Sequence, residues 1–319
     1  MVQLRRMLVA LLSIIALAAA ATVASADRGG GAKKSAERVF TLQPDPAGNP
    51  EGVAFDKRSK AFFVSITADG AIYRGTLDSD TVAPFILGAT GRAAVGLKVR
   101  RGKLYVAGGP TGSITVYDLA TKQVVATFQT GTGGFLNDLV VTGRGDVFVT
   151  DSFRPTLWHV TAAQVRSGSG APQALDVSAI PYEAGQFNLN GIVARGSRRL
   201  VVVDSNSGKL FRIQLAPDRS SVSAIDEITG ATVPGGDGLL LDRGRLVVVQ
   251  GDPAQLSFLK LRAGLRRAAL VDTLTSDKLR GPSTVDRARG LYLVVNADFN
   301  LSRKPFTVVG LPRHHGHGH

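Results

Sequence analysis

The sequence predicts an all-β protein, a six-bladed β-propeller with four-stranded antiparallel blades. Helical periodicity is nearly absent from the 319 residues. Short runs of Val, Leu, Phe and Tyr recur instead, each after a charged turn, with a period of about 46 residues. Six such copies account for about 276 residues, close to the span 39–312.

The second strand of each predicted blade shows the repeat most clearly. Its six copies lie at 61–64, 104–107, 147–150, 200–203, 246–249 and 291–294. Each run follows another apolar stretch, and most are followed by a small polar turn and a further strand. Strand, charged turn, strand, polar turn and strand is the sequence signature of a propeller blade.

The stretch 39–42 (Val-Phe-Thr-Leu) is predicted to add an outer strand to the last blade and close the ring. Closure removes the exposed edges that separate sheets would present. An open repeat array is the alternative, but six copies without distinct capping repeats favour closure. The predicted organisation is a signal peptide at 1–26, a flexible leader at 27–38, the propeller at 39–312 and a His/Gly-rich tail at 313–319.

The first 26 residues resemble a secretory signal. Arg5 and Arg6 precede the apolar stretch 7–21, and small residues end at Ala26, where cleavage is expected. A retained N-terminal anchor is the alternative. The mature protein is therefore expected to be exported, either secreted or periplasmic (extracytoplasmic).

The residue types present exclude several kinds of site. The chain has no cysteine, which excludes disulfides, thiolate zinc sites and a cysteine nucleophile. His159 is the only histidine before the tail, so a Ser/His/Asp triad cannot be assembled at the mouth of the channel. A pair of histidines like that of the paraoxonases is excluded for the same reason.

One reference position lies about ten residues before each second strand, where the innermost strand of the blade begins. The six positions are Glu51, Ala94, Asn137, Asn190, Asp237 and Gly281. The innermost strands of a propeller all begin at one end of the central channel. We therefore expect these residues to form a ring around the axis.

Four members of this ring have a side chain that ends in oxygen-bearing groups, and two of these side chains are carboxylates. Such a set suits a hard divalent cation, and Glu51 and Asp237 would otherwise face each other uncompensated. The two negative charges would offset Ca²⁺ or Mg²⁺, with Mn²⁺ and Zn²⁺ as further alternatives, and the resemblance described below favours Ca²⁺. The predicted metal ligands are Glu51, Asn137, Asn190 and Asp237. The alternative is that these residues cap backbone groups or bind water in the channel.

The same four positions carry a resemblance to a known family. The ordered pairs are Glu51-Gly52, Asn137-Asp138, Asn190-Gly191 and Asp237-Gly238. They resemble those of the gluconolactonase, senescence-marker-protein and luciferin-regenerating-enzyme family, which are calcium-dependent six-bladed propeller esterases. The resemblance implies that Glu51, Asn190 and Asp237 bind the metal. It also implies that Asn137 contacts the substrate or completes the metal shell, and that Asp237 doubles as general base.

The sequence departs from the family pattern near the site. Val53-Ala54-Phe55 follows the first pair, where many sugar lactonases have proline and then an aromatic residue. Phe135 stands two residues before Asn137, where those enzymes often have arginine. An apolar Phe135 at the substrate site argues for a less polar substrate than a sugar lactone.

The predicted function is an exported, metal-dependent hydrolase of the lactonase type that acts on a small-molecule lactone or ester. Asp237 or Asp138 is the candidate base that takes a proton from the attacking water. The alternative is a non-enzymatic propeller, a binding or scaffold protein that keeps a structural calcium. A monomer is expected in either case.

The positive charge is concentrated in one set of turns, those that join the first two strands of each blade. The turns are 56–60, 100–103, 143–146, 195–199, 242–245 and 286–290. Together they carry a formal charge of +10 and are predicted at the end of the channel opposite the metal. The resulting basic face is interpreted as a docking surface for an anionic cell-surface polymer or lipid, or alternatively as ordinary solvated turns. Nucleic acid is not expected as a partner.

Overall fold

A computed structural model describes residues 36–313. The predicted signal peptide, residues 27–35 of the leader and residues 314–319 of the tail lie outside the described residues. The described chain consists of strands and turns, apart from one short α-helix, α1 (Ala162–Ser167), and one 3-10 turn (Ala263–Leu265). Within 36–313, no helix has the length and apolar character needed to cross a membrane.

The strands repeat in groups of four. The innermost strands are β2 (Pro50–Asp56), β6 (Leu97–Arg100), β10 (Leu136–Val141), β14 (Leu189–Ala194), β18 (Gly236–Asp242) and β22 (Pro282–Ala288). The second strands are β3 (Ala61–Ile66), β7 (Lys103–Ala107), β11 (Val147–Asp151), β15 (Arg199–Asp204), β19 (Arg245–Gln250) and β23 (Leu291–Asn296). The third strands are β4 (Ile72–Thr76), β8 (Ser113–Asp118), β12 (Thr156–Val160), β16 (Lys209–Leu215), β20 (Gln255–Arg262) and β24 (Thr307–Pro312). The outer strands are β5 (Thr81–Ile86), β9 (Val124–Gln129), β13 (Gln173–Asp176), β17 (Val222–Ile228), β21 (Arg267–Thr275) and β1 (Arg38–Leu42).

These strands form six antiparallel blades arranged in a closed ring. Four blades are separate sheets, and the first and last are joined by a short parallel pairing of β1 with β5. Each innermost strand contacts the innermost strands of the two neighbouring blades, and β22 contacts β2. The closing strand is confirmed, since β1 pairs antiparallel with β24 and places Phe40 opposite Val308.

The hydrophobic core is divided among the interfaces between blades. Six buried clusters are present in the described chain, each drawing its side chains from two neighbouring blades. At the closure, Phe40 from β1 packs edge-on against Phe62 from β3, with 5.1 Å between the ring centres. Both rings are fully buried, so the N-terminal strand contributes to the core as well as to the hydrogen-bonded ladder.

The innermost strands share an irregularity at their start. In five of them the register shifts across two residues, which are Glu51-Gly52 in the first blade and Ser283-Thr284 in the sixth. This alignment corrects one predicted ring position, because Ser283 rather than Gly281 corresponds to Glu51. The hairpin loop at 289–290 has two residues where the loop at 57–60 has four, so a fixed count back from the second strand misses by two.

The second blade needs a similar correction. Its hairpin loop is also two residues long, and Val95, not Ala94, lines the channel mouth beside Glu51. Gly96 then corresponds to Gly52, and its amide donates a hydrogen bond to the Asn137 carbonyl in the next blade. The sixth blade thus contributes the hydroxyl residue Ser283 to the ring, and the second blade contributes the apolar residue Val95.

Glycine follows the ring residue where adjacent innermost strands approach most closely. A Cβ atom at Gly191 would lie 2.2 Å from the Asp237 carbonyl oxygen, whereas a Cβ at Gly143 would meet no atom within 4 Å.

We expect Gly191→Ala to lower the free energy of unfolding by about 2 kcal/mol or more, because the contacting atom is backbone. Gly143→Ala is the matched control and should change it by less than about 0.5 kcal/mol. Denaturant unfolding of both variants checks this, and equal stabilities would contradict it.

Candidate metal and substrate site

The predicted ring residues meet in one cavity. Glu51, Asn137, Asn190 and Asp237 begin four different innermost strands and all line a cavity of about 570 Å³ at the mouth of the channel. Phe135, the predicted substrate contact, lines the same cavity. Residues that are far apart in sequence are therefore close together in space.

Each of the four residues presents an oxygen that has no hydrogen-bond partner. The atoms are Glu51 Oε2, Asn137 Oδ1, Asn190 Oδ1 and Asp237 Oδ1, all buried and unpaired within the described chain. Leaving one such atom unsatisfied costs about 1–3 kcal/mol. Four of them around one cavity indicate a site for a group that accepts lone pairs. A hard cation with oxygen ligands fits this donor set.

The amide groups are oriented by neighbouring strands. Asn137 Nδ2 donates to Ser152 Oγ over 3.0 Å, and Ser152 Oγ donates in turn to the Leu189 carbonyl over 2.6 Å. These two hydrogen bonds hold the amide nitrogen of Asn137 against the wall of the cavity and leave its amide oxygen free on the cavity side. The Asn190 side chain lies close enough to Asp237 to lower the pKa of that carboxyl group.

Hydroxyl side chains brace the backbone beneath the ring, and sequence reasoning missed them. Ser65 accepts from the Gly52 amide over 2.7 Å, and Ser283 donates to the Glu51 carbonyl over the same distance. Ser205 donates to the Gly236 carbonyl and also lines the cavity. Asp-Ser pairs end two of the second strands, at 151–152 and 204–205, and this recurrence is the signal that could have found Ser152 and Ser205.

The environment of the cavity disfavours the ionised forms of its two carboxyl groups, Glu51 and Asp237. Burial raises the pKa of Glu51 well above its usual range, the charges of Asp237 and Asp138 raise it further, and Lys98 opposes them. Burial and the charge of Asp138 also raise the pKa of Asp237 to about 8, against a hydrogen bond from Asn190. A bound cation would compensate both negative charges, so the residues fit a divalent ion.

Asp138 lies apart from the cavity that its neighbour Asn137 lines. Its side chain is 1% exposed and forms an ion pair with Lys98, with 3.0 Å between Nζ and Oδ1. The same oxygen accepts from the Leu139 amide over 2.8 Å. Asp138 is therefore held by a cation and by backbone, and it influences the cavity through its charge.

An aromatic wall covers one side of the cavity. The Phe135 ring lies 5.1 Å from Phe187 and 5.5 Å from Phe153, measured between ring centres. Phe299 lines the cavity from the last blade and is about half exposed, as is Phe187. Sequence reasoning missed Phe187 and Phe299. The unusually long interval from Asn137 to Asn190 showed that an insertion was present there, but not that Phe187 within it reaches the mouth.

The composition of the ring distinguishes it from a zinc site built from histidine and cysteine. Across residues 36–313, no group of three His, Cys, Asp or Glu side chains has the arrangement of a metal site. The ring instead combines two carboxylates with two amide oxygens. Hard cations such as Ca²⁺ and Mg²⁺ accept such oxygen ligands, whereas zinc sites use mainly His and Cys.

Solved structures share this fold at low sequence identity. The luciferin-regenerating enzyme matches with a TM-score of 0.63 and 11% identity, over 88% of this chain and 96% of its own. XC5397 from Xanthomonas campestris, described as a gluconolactonase, matches with a TM-score of 0.63 and 16% identity, over 88% and 91%. Virginiamycin B lyase from Staphylococcus aureus matches with a TM-score of 0.59 and 10% identity, over 88% and 99%. No protein-family model and no curated protein matches the sequence.

These comparisons confirm the propeller fold and the predicted resemblance at the level of the fold. The same fold is found in a gluconolactonase and in a lyase, so it does not by itself select a reaction. The choice between reactions rests on the residues of the cavity.

Proposed function

We propose that the chain is an exported, metal-dependent hydrolase of the lactonase type, acting on a small lactone or ester of low polarity. The observation that carries the proposal is the set of four partnerless oxygens on a cavity with an aromatic wall. The gluconolactonase and the luciferin-regenerating enzyme among the structures of this fold support it.

Glu51, Asn137, Asn190 and Asp237 would hold the cation, with Ca²⁺ as the first choice. When bound, the cation supplies Lewis-acid polarisation of the substrate carbonyl. Asn137 lies beside Phe135, so it is also placed to orient the substrate. The Ser152 hydrogen bond fixes the direction of the Asn137 amide and thus limits how a carbonyl group can enter.

Asp237 is the residue that we assign to proton transfer. Asp237 lines the cavity, and a bound cation would favour its ionised form, in which the carboxylate can accept a proton. Asp138, the other candidate from the sequence, is paired with Lys98 and does not line the cavity. We assign Asp138 a positioning role, in which its charge raises the pKa of Asp237 and Glu51.

A non-enzymatic propeller with a structural calcium is the second candidate. One observation favours it: Glu51 and Asp237 are the only titratable residues among those lining the cavity, and both belong to the metal set. A base that also binds the metal is constrained in accepting a proton. Stoichiometric calcium binding without turnover would select this candidate.

The test is hydrolysis measured on the full chain with a panel of lactones and aryl esters. We expect turnover that requires added Ca²⁺, is abolished by a chelator and is restored by excess Ca²⁺. Apolar lactones and aryl esters should exceed sugar lactones in kcat/KM. Turnover unchanged in the chelator would overturn the metal-dependent mechanism, and preference for sugar lactones would overturn the role of the aromatic wall.

Substrate affinity should depend on the aromatic side chains at the rim of the cavity. We expect Phe299→Ala to raise KM for an apolar ester about 5- to 10-fold with little change in kcat, because the ring removes apolar surface from water in the complex. Leu301→Ala is the matched control, since Leu301 is in the same loop, is 64% exposed and does not line the cavity. Steady-state kinetics of both variants check this. Equal KM values would show that the Phe299 ring does not contact the substrate.

A further inference from the structure

A second pocket opens at the face opposite the ring. The innermost strands run from the ring residues toward this face, and the hairpin turns that follow them carry 14 of the 38 Lys and Arg residues and only four acidic residues. A cavity of about 510 Å³ lies there between the first, fifth and sixth blades. We call it the far pocket. Its lining residues are Phe55, Lys57, Lys60, Asp242, Arg243, Arg287, Arg289 and Arg313.

The far pocket carries a large excess of positive charge. Six of its lining residues are cationic and one is acidic. Asp242 is 1% exposed and pairs with Arg313 over 2.7 Å and with Arg287 over 3.1 Å. It also accepts a hydrogen bond from the Tyr292 hydroxyl over 2.8 Å. Asp242 therefore fixes two guanidinium groups in the wall, and it is the one acidic side chain among the described residues that line the far pocket.

Three further cations of the far pocket form no ion pair with any described residue. Within residues 36–313, Lys57, Lys60 and Arg289 form no ion pair, although the Arg289 carbonyl accepts a hydrogen bond from the Arg313 guanidinium. Cations of like charge that converge on a concave surface repel one another, by an amount that salt reduces but does not remove. An anion in the pocket would relieve this repulsion.

The backbone places basic residues at positions that favour glycine. Lys60, Arg243 and Arg289 have φ angles of 56°, 49° and 51° in their hairpin turns. An L residue in this region costs about 1 kcal/mol more than glycine. The third and fourth blades use Gly145 and Gly196 for the positive φ of their turns. Arg101 in the second blade has the same conformation, with φ 49°, so basic residues occupy this position in four of the six turns, and three of these residues line the far pocket.

We propose that the far pocket binds a small ligand that carries two or more phosphate groups. Guanidinium groups recognise phosphate through paired hydrogen bonds, and several cations around one cavity suit an anion of multiple charge. The proposal is independent of hydrolysis at the ring, which lies at the other end of the channel.

The concave shape and the residue types favour this ligand over a membrane surface. Large hydrophobic side chains are exposed elsewhere in the described chain, but none of them lies in the six hairpin turns of this face. A membrane-docking face commonly adds an apolar anchor to its basic residues. The cations of the far pocket instead surround a cavity.

The proposal is tested by calorimetric titration of the full chain with inorganic pyrophosphate and tripolyphosphate. The buffer contains a chelator, because both ligands bind divalent cations. We expect one site per chain, tighter for tripolyphosphate than for pyrophosphate and weakest for inorganic phosphate. Affinity should fall with added salt.

A pair of double variants locates the site. Lys57→Gln/Lys60→Gln removes two exposed cations of the far pocket and should weaken tripolyphosphate binding at least about 10-fold. Arg195→Gln/Arg198→Gln removes two exposed cations from the turn of the fourth blade and should weaken it less than about 2-fold. Arg289→Gln is a further pocket variant in case the lysine variant fails to fold.

Two results would overturn the proposal. One is the absence of stoichiometric tripolyphosphate binding in the wild-type protein. The other is an equal loss in the two double variants, together with binding to vesicles of phosphatidylglycerol but not of phosphatidylcholine. That combination would identify a diffuse basic face that docks on anionic lipid. Binding to the phosphates without binding to vesicles supports the far pocket.

Discussion

Replacement of Asp237 by asparagine is expected to abolish both divalent-cation binding and hydrolysis. Asp237→Asn keeps the size of the side chain but removes one of the two carboxylates of the ring. It also removes the group that we assign to proton transfer. We expect kcat/KM to fall about 1,000-fold or more, which corresponds to roughly 4 kcal/mol of lost transition-state stabilisation. Calorimetry for Ca²⁺ and steady-state kinetics measure the two losses.

The matched control for this variant is Asp272→Asn. Asp272 is an exposed carboxylate on an outer strand, so its loss changes the net charge equally without touching the ring. We expect wild-type calcium affinity and turnover in the control. Full activity in Asp237→Asn would reject the assigned mechanism, and calcium binding retained without activity would separate the metal role of Asp237 from its role as base.

The stability of the metal-free protein is expected to fall as the pH rises from about 5 to about 8, and Ca²⁺ should reverse the loss. Burial raises the pKa of Asp237 to about 8, against an ordinary value of 3.8, and raises the pKa of Glu51 in the same direction. Between the two values the folded state keeps protons that the unfolded state has lost. The contribution to stability is therefore complete below about pH 4 and is lost as the pH rises toward 8.

Thermal unfolding in a chelator, followed from pH 5 to pH 8, measures this effect. The loss should amount to a few kcal/mol in the wild type and should be clearly smaller in Asp237→Asn, which lacks the titrating group. At pH 8, Ca²⁺ at 100 times its dissociation constant should stabilise the wild type by about 2.7 kcal/mol. If the stability of the metal-free wild type changes with pH as much as that of Asp237→Asn, the electrostatic interpretation of the ring is wrong.

The sequence was informative about the fold because propeller blades repeat. The second strands and the closing strand at 39–42 could be predicted, because an apolar run between two turn signals indicates a strand regardless of the sequence elsewhere in the blade. The reference positions at Ala94 and Gly281 were wrong because hairpin length differs between blades. That length depends on the turn conformation at 101–102 and 289–290, which residue counting does not reveal.

The candidate site could be predicted in part. Glu51, Asn137, Asn190 and Asp237 were found because each begins an innermost strand, and three of them precede a glycine needed for close approach of the strands. Phe187 and Phe299 come from loops outside the repeat, so no periodic pattern places them near the mouth.

The ion pair of Asp138 with Lys98 could not be predicted from the sequence either. It depends on which face of β6 points into the channel, and that orientation is known only once the strands are packed.

An anomalous difference map from crystals grown with Mn²⁺ in place of Ca²⁺ would locate the bound cation. We expect one peak in the cavity at the channel mouth, within coordination distance of oxygens from Glu51, Asn137, Asn190 and Asp237, and no such peak in Asp237→Asn. A map of the wild type with no peak there, or with its only strong peak at another part of the molecule, would contradict this expectation.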